Sequence, residues 1–393
     1  MNRLILIGNG FDLAHNLKTK YSDFLFSYIK DCFLETEKKR LYEDEFIKIQ
    51  VRDGRAYNLI KFNINEVTSI KDFERFLNIP SYNLILFGSN SERDSDSYNG
   101  RYEPIEKFKL NIKDDFFMHL FKDACILTWV DIEREYYESL KKTLDPKNKN
   151  RIEDLKKLND SFAHLKKLLA VYISTISLGN SYNTEISKHI TAPINLKDIP
   201  TIKEKEIQEI REKNEANIKA GGWEISPSSI MLLNFNYTDS ALQYLPPYEE
   251  SHNSILNNIH GTSDGNIIFG YGDEMDDNYR QMESENNNEY LKFAKSFGYF
   301  NDANYHSLIR FLDSDKYELL IMGHSCGLSD RTLLNMIFEH DNCKSIKTYY
   351  HKREDGSNDF AEKTMEISRH FRNKQKMRER ILPFDKCTPL PQL

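Results

Sequence analysis

The feature that most constrains this chain is a short apolar run stopped by two glycines. Leu4 to Ile7 is continuously apolar, and Gly8-Asn9-Gly10-Phe11-Asp12 follows at once. An apolar run without alternation is buried on both faces, as a strand inside a parallel sheet is. Paired glycines allow a tight turn and let a phosphate approach the backbone, where the start of a following helix adds positive potential. Leu13 stands where the third glycine of the dinucleotide fingerprint belongs. Gly8, Asn9, Gly10, Phe11 and Asp12 are therefore the expected nucleotide-binding residues, and the start of the chain is read as strand, turn and helix.

Similar runs recur late: Ile230 to Asn234, Ile267 to Gly270, Tyr317 to Gly323 and Ser345 to Tyr350. Helical patterns separate several of them, which predicts βαβ units in an α/β fold with a mainly parallel, doubly wound sheet. Between the first run and the rest, Phe24 to Lys48, Phe116 to Leu144 and Ile152 to Leu178 carry apolar stripes at helical spacing. Residues 83–101 read as a polar loop and residues 197–220 as a charged helix. The organisation expected is a nucleotide-binding domain from residues 1–25 and 225–393, interrupted by a mostly helical insertion, 26–224. The length of 393 residues suits two such parts.

Charge narrows the functional classes. A net charge of −7 argues against a general nucleic-acid binder. The most basic segment, Arg369 to Arg380, has helical spacing and reads as a solvated helix face. Five scattered cysteines without a CxxC pair point to a reducing compartment and away from a cysteine zinc site. No run reaches the roughly 20 apolar residues of a membrane span. The opening segment is too short to be a signal peptide. A cytoplasmic protein without bound metal or prosthetic group is expected.

Polar motifs close the predicted strands. Asn234-Phe-Asn236-Tyr-Thr-Asp239 follows one, His260-Gly261 another, and Gly323-His324-Ser325 opens a turn that ends at Ser329 and Asp330, natural helix caps. Side chains just past the carboxyl ends of parallel strands face the ligand crevice of such sheets. An imidazole there suits general-base work because it titrates near neutrality. Asn236, His260 and Asp239 are the catalytic candidates. Gly323, His324, Ser325 and Asp330 join the nucleotide-binding set. The bland readings are an Asx turn at Asn234 and Asn236, and a structural histidine at 260. Asp131 and Glu133 lie two apart and share no helix face, so a rim or interface role is expected of them rather than metal binding.

Taken together, LILIGNGFDLAHNLKTKYSDF, WVDIE, NFNYTDS, NIHG, IIFGYGDE and GHSCGLSD, in that order, resemble the AbiH family of bacteriophage abortive-infection proteins over nearly the whole chain. The resemblance implies antiphage defence, in which the infected cell stops growing or dies before phage is released. A looser resemblance is to sirtuin-like NAD-hydrolysing domains, whose fold is Rossmann-like. It sets their glycine turn on Gly8-Asn9-Gly10, their Asn on Asn236, their His-Gly on His260-Gly261 and their G-x-S on Gly323-His324-Ser325. Their ribose-binding Asp falls one residue late here, at Asp239. The four-cysteine zinc ribbon of sirtuins proper is missing, so deacetylation is disfavoured. NAD is accordingly the expected substrate, its nicotinamide–ribose bond the one cleaved. A phage-derived trigger or a partner protein is expected to act on the chain, within a homo-oligomer or hetero-complex. Two alternatives stay open: a nucleotide-sensing module acting through a partner, and a metal-dependent nuclease using His260, Asp273 and Glu274.

Overall fold

A computed structural model of the chain describes residues 1–51, 67–69, 108–122, 129–179, 182–200, 202–213, 223–245, 253–263 and 267–393. The polar stretch 83–101 lies outside the described residues. The chain divides into two compact units, Met1–Thr19 with Ile173–Leu393, and Lys20–Tyr172.

The first unit holds a five-stranded sheet. In chain order its strands are β1 (Asn2–Ile7), β7 (Ser229–Asn234), β8 (Asn253–Asn258), β9 (Tyr317–Met322) and β10 (Cys343–Tyr349). Their spatial order is β10-β9-β1-β7-β8, and every pairing is parallel. Counted in chain order this is 3-2-1-4-5 read from the β8 edge, the order of a Rossmann-like sheet. The order reverses between β1 and β9. Along β1 the side chains alternate faces. Leu4 and Leu6 join a cluster with Leu308, Phe311 and Leu312 of helix α10 (Asn304–Ser314) and Leu334, Ile337 and Phe338 of α11 (Arg331–Glu339). Ile5 and Ile7 join another with Phe11 and Ala14 of α1 (Asn9–Ala14) and Ile186 and Ile190 of α6 (Thr184–Thr191). Both faces are covered, which is why β1 reads as an unbroken apolar run.

Arg3, just before that run, brings a charge into the strand. It lies beside Glu318 in the β1–β9 register, and its Nε donates to Glu318 Oε1 at 2.6 Å. Its Nη1 donates to Ile190 O at 2.6 Å, so the buried guanidinium meets both a carboxylate and a carbonyl.

Three expectations change here. Residues 267–270 are buried but form no strand; Ile268 N–H donates to His260 O at 2.7 Å, and a bridge follows at Tyr271–Ala294. The basic segment 369–380 is not simply solvated. His370, Phe371 and Arg380 are buried, and Arg380 Nη1 donates to Phe338 O at 2.5 Å. The boundary drawn at 225 also moves. Helix α6 packs in the sheet unit because Ile186 and Ile190 supply part of its core.

The second unit carries helices α2 (Tyr21–Lys39), α3 (Asp115–Lys122) and α4 (Trp129–Thr143), and most of α5 (Arg151–Ser174). It also has an antiparallel sheet of β2 (Leu41–Glu43), β3 (Ile47–Val51) and β4 (Phe108–Ile112). The helix expected over 24–48 therefore ends early. Arg40 takes a left-handed φ of 65° and its N–H caps Thr36 O, after which the chain turns into β2. Stacked rings fill this unit, Phe46 on Phe117 at 4.4 Å and Tyr136 on Phe162 at 3.9 Å between centroids.

Candidate functional site

The turns after β1 and β9 are joined backbone to backbone where the strand order reverses. Gly10 N–H donates to Gly323 O at 2.8 Å, Gly8 N–H to Met322 O at 3.3 Å, and Phe11 N–H back to Gly8 O at 2.8 Å. A Cβ on Gly8 would lie 2.6 Å from His324 Cα, one on Gly10 2.8 Å from Gly323 O, and one on Gly323 2.0 Å from Phe11 N. Gly323 also has a φ of +76°, a region that favours glycine. Close contact between the two turns thus accounts for all three glycines, and Gly10 itself sits in α1 without a positive φ. The amides of Gly8, Gly10 and Phe11, three of the residues expected at the nucleotide, donate within the protein.

Asn236 belongs to the same corner. Its N–H donates to Asn234 Oδ1 at 3.1 Å, the Asx turn the sequence suggested, and its Nδ2 donates to Gly8 O at 3.1 Å. Asn234 Nδ2 in turn donates to Asn258 Oδ1 at 3.0 Å, tying the ends of β7 and β8 together. Asp12 is fully buried and accepts Thr238 Oγ1 at 2.8 Å and Ser240 Oγ at 2.5 Å. Burial pushes its carboxyl up to about 6, against the hydrogen bonds from Ser240, Thr238 and Asn236. Asp239 is exposed. The buried carboxyl of this corner is therefore that of Asp12, which clamps α1 to the turn after β7.

Past β8 and β9 four ionisable side chains meet. His260 Nε2 lies 3.1 Å from Asp330 Oδ1, in contact but without the alignment of a hydrogen bond. Lys295 Nζ donates to the same oxygen at 2.8 Å, and His324 Nε2 lies 3.7 Å from Asp330 Oδ2. All four side chains are at most 6% exposed. Burial opposes charge on Asp330, yet Lys295, His260 and His324 hold its carboxyl well below the usual range. Burial drives His324 down to about 3, so its ring is neutral. Its Nδ1 accepts Cys326 N–H at 3.0 Å, which leaves the ring proton on Nε2 facing Asp330. Phe235, next to Asn236, sets its ring 4.1 Å from His324 and 5.0 Å from His260 between centroids.

The geometry brings Gly8, Gly10, Asn236, Gly323, His324, His260 and Asp330 to the carboxyl ends of four adjacent strands. Ser325 is exposed, while Asn9 and Gly10 are half-buried at the surface of the first turn. Asp330 occupies the N-cap position of α11, but its side chain makes no capping bond because Lys295 and His260 hold it. Lys295, in Lys292-Phe-Ala-Lys295, was missed by the sequence reading, since nothing local marks it. Asp273 accepts Arg331 Nη1 at 3.1 Å, and Glu274 N–H donates to Thr332 Oγ1 at 3.1 Å, so both attach to the start of α11. Asp131 pairs with Arg134 at 2.7 Å in the other unit, where Glu133 is buried. Among the described residues no group of three or more His, Cys, Asp or Glu is placed to hold a metal ion, and no helix is long and apolar enough to cross a membrane.

A family model described as bacteriophage abortive infection AbiH matches residues 4–351. Comparison with curated proteins and with solved structures gives no match.

Proposed function

We propose a function from a settled premise: this chain belongs to the AbiH family of bacteriophage abortive infection proteins. Abortive infection works on the infected cell itself, so the chemistry must stop growth rather than destroy phage alone. The reading favoured here is NAD glycohydrolysis at the crevice between the β1 and β9 turns.

The observation that carries it is the meeting of Asn236 with the glycine turn, and of His260 with Asp330, at the carboxyl ends of one parallel sheet. In the reaction the bond between ribose C1′ and the nicotinamide nitrogen breaks, and its electron pair leaves with nicotinamide. A water oxygen bonds to C1′, and the water's proton passes to His260. The products are nicotinamide, ADP-ribose and one proton. Such a path through an oxocarbenium-like ribose depends on positioning and charge stabilisation. Asn236 spends one amide proton on Gly8 O and lends a hydrogen bond to Asp12, so its Oδ1 is the atom suited to orient the water. The dinucleotide would run over the half-buried Asn9 and Gly10 toward the exposed Ser325. Asp12 is assigned to holding the turn rather than to the ribose, because two hydroxyls already occupy its oxygens.

The test is nicotinamide release from NAD, followed by chromatography, together with NAD measured in cells under phage challenge. Asn236→Ala and His260→Ala are each expected to slow release by ~10²–10⁴-fold with the fold intact. Protection by the wild type while cellular NAD stays at its resting level would overturn the hydrolase reading. Nucleotide binding by calorimetry without turnover, in protein taken from protected cells, would replace it with a sensing role.

A further inference from the structure

The buried group around Asp330 carries more than a pair of histidines. An Asp at an N-cap normally bonds the first amides of its helix. Asp330 does not, and turns into the protein toward Lys295, His260 and His324. Lys295 reaches it because two glycines clear the way. A Cβ on Gly270 would lie 1.9 Å from Phe293 O, and one on Gly272 2.6 Å from Ser329 O and 3.6 Å from the Lys295 side chain. Lys295 N–H donates to Tyr271 O at 2.7 Å, which fixes the segment against the Gly270-Tyr271-Gly272 stretch. Gly270 and Gly272 thus place a cation beside a carboxylate.

We propose that Asp330, balanced by Lys295, is the positioning residue for His260, holding Nε2 inward so that Nδ1 is the nitrogen that takes a proton. The charges support this. Lys295 and Asp330 cancel, and His324 is neutral. The group is therefore uncharged when His260 is neutral, the form a proton acceptor needs. The other groups facing His260 are the phenols of Tyr237 and Tyr299, whose rings stack 6.4 and 6.3 Å away. Lys363 lies beyond His324 and His370 beyond Asp330. The assignment rests on the hydrolase reading only in naming water as the source of the proton, and its test does not need NAD.

The experiment is a nitrogen-resolved NMR titration of the full chain with histidine-selective labelling, His260 being assigned through His260→Gln. Wild type is expected to show the neutral imidazole protonated on Nε2. Asp330→Asn removes the anion and leaves Lys295 nearby, so the His260 midpoint should fall by about one pH unit or more. Lys295→Met leaves Asp330 unshared, so the midpoint should rise by a similar amount. Opposite shifts are a readout that a purely structural role would not give. An unmoved midpoint in Asp330→Asn overturns the proposal. If Lys295→Met does not fold, Lys295→Met with Asp330→Asn removes both charges together, and its midpoint should lie nearer wild type than that of Asp330→Asn. Equality of those two overturns the part given to Lys295. Cellular NAD separates the readings: a moved midpoint, with protection while NAD stays at its resting level, refutes the hydrolase and keeps the role of Asp330, and an unmoved midpoint with NAD turnover does the reverse.

Discussion

Replacing Gly323 with alanine tests how tightly the two turns are joined. The left-handed φ of +76° costs a residue with a Cβ roughly 1–2 kcal/mol. The new methyl would also start 2.0 Å from Phe11 N and 2.9 Å from Phe11 Cα. Relieving that by backbone movement costs about 1–3 kcal/mol, as overpacking does elsewhere. Moving the turns apart endangers the bond from Gly10 N–H to Gly323 O, worth about 1 kcal/mol. The sum is about 3–6 kcal/mol, a large part of the ~5–15 kcal/mol that holds a typical domain. Gly356 is the control. Its φ is +84°, but a Cβ there meets nothing within 4 Å, so Gly356→Ala should cost only the dihedral part, about 1–2 kcal/mol. The assay is urea unfolding by circular dichroism for both variants, with amide exchange of residues 1–19 as the local reporter. Equal losses in the two variants would refute the steric argument and return the glycine to a role in ligand approach.

Other outcomes follow from the buried charges. Asp12 has its carboxyl raised from 3.8 to about 6, so its contribution is fully present below about pH 3.8 and is lost as pH rises through 6. Asp12→Asn should therefore gain about 2 kcal/mol relative to wild type between pH 4 and pH 7 in paired urea titrations, and a constant difference would sink this account. Arg3→Met strands Glu318 in the core and should cost about 3–5 kcal/mol, most of it recovered on adding Glu318→Leu. A double variant no more stable than Arg3→Met would show that the ion pair itself stabilises the fold.

The central strands were legible because burial on both faces leaves a plain trace. Leu4–Ile7, Ile230–Leu233 and Leu319–Met322 are apolar for that reason, and the strands found there run parallel. The same logic misread residues 267–270, where apolar side chains are buried by an irregular segment pressed on Phe293. The end of α2 was hidden because a left-handed Arg40 has no compositional mark, unlike a glycine. In the site, residues next to strand ends could be listed from sequence alone, and His260, His324 and Asp330 do meet. Lys295 could not. It lies 35 positions from Asp330, and only tertiary packing beside Gly272 brings it there. The glycines carried a signal with a structural side that the sequence did not show, since at Gly8, Gly10 and Gly323 they also admit the backbone of the facing turn.

The strand order also sets a schedule. β1 is central, yet its neighbours β7 and β9 begin at Ser229 and Tyr317. During synthesis at ~5–20 residues per second, β1 waits roughly 10–45 s for its first partner and longer for the second. Through that interval Leu4–Ile7 is an unpaired apolar strand on a growing chain, the kind of segment that misassociates or is held by chaperones. The residues 20–172 made meanwhile belong to a compact unit of their own, while the partners of β1 are still to come.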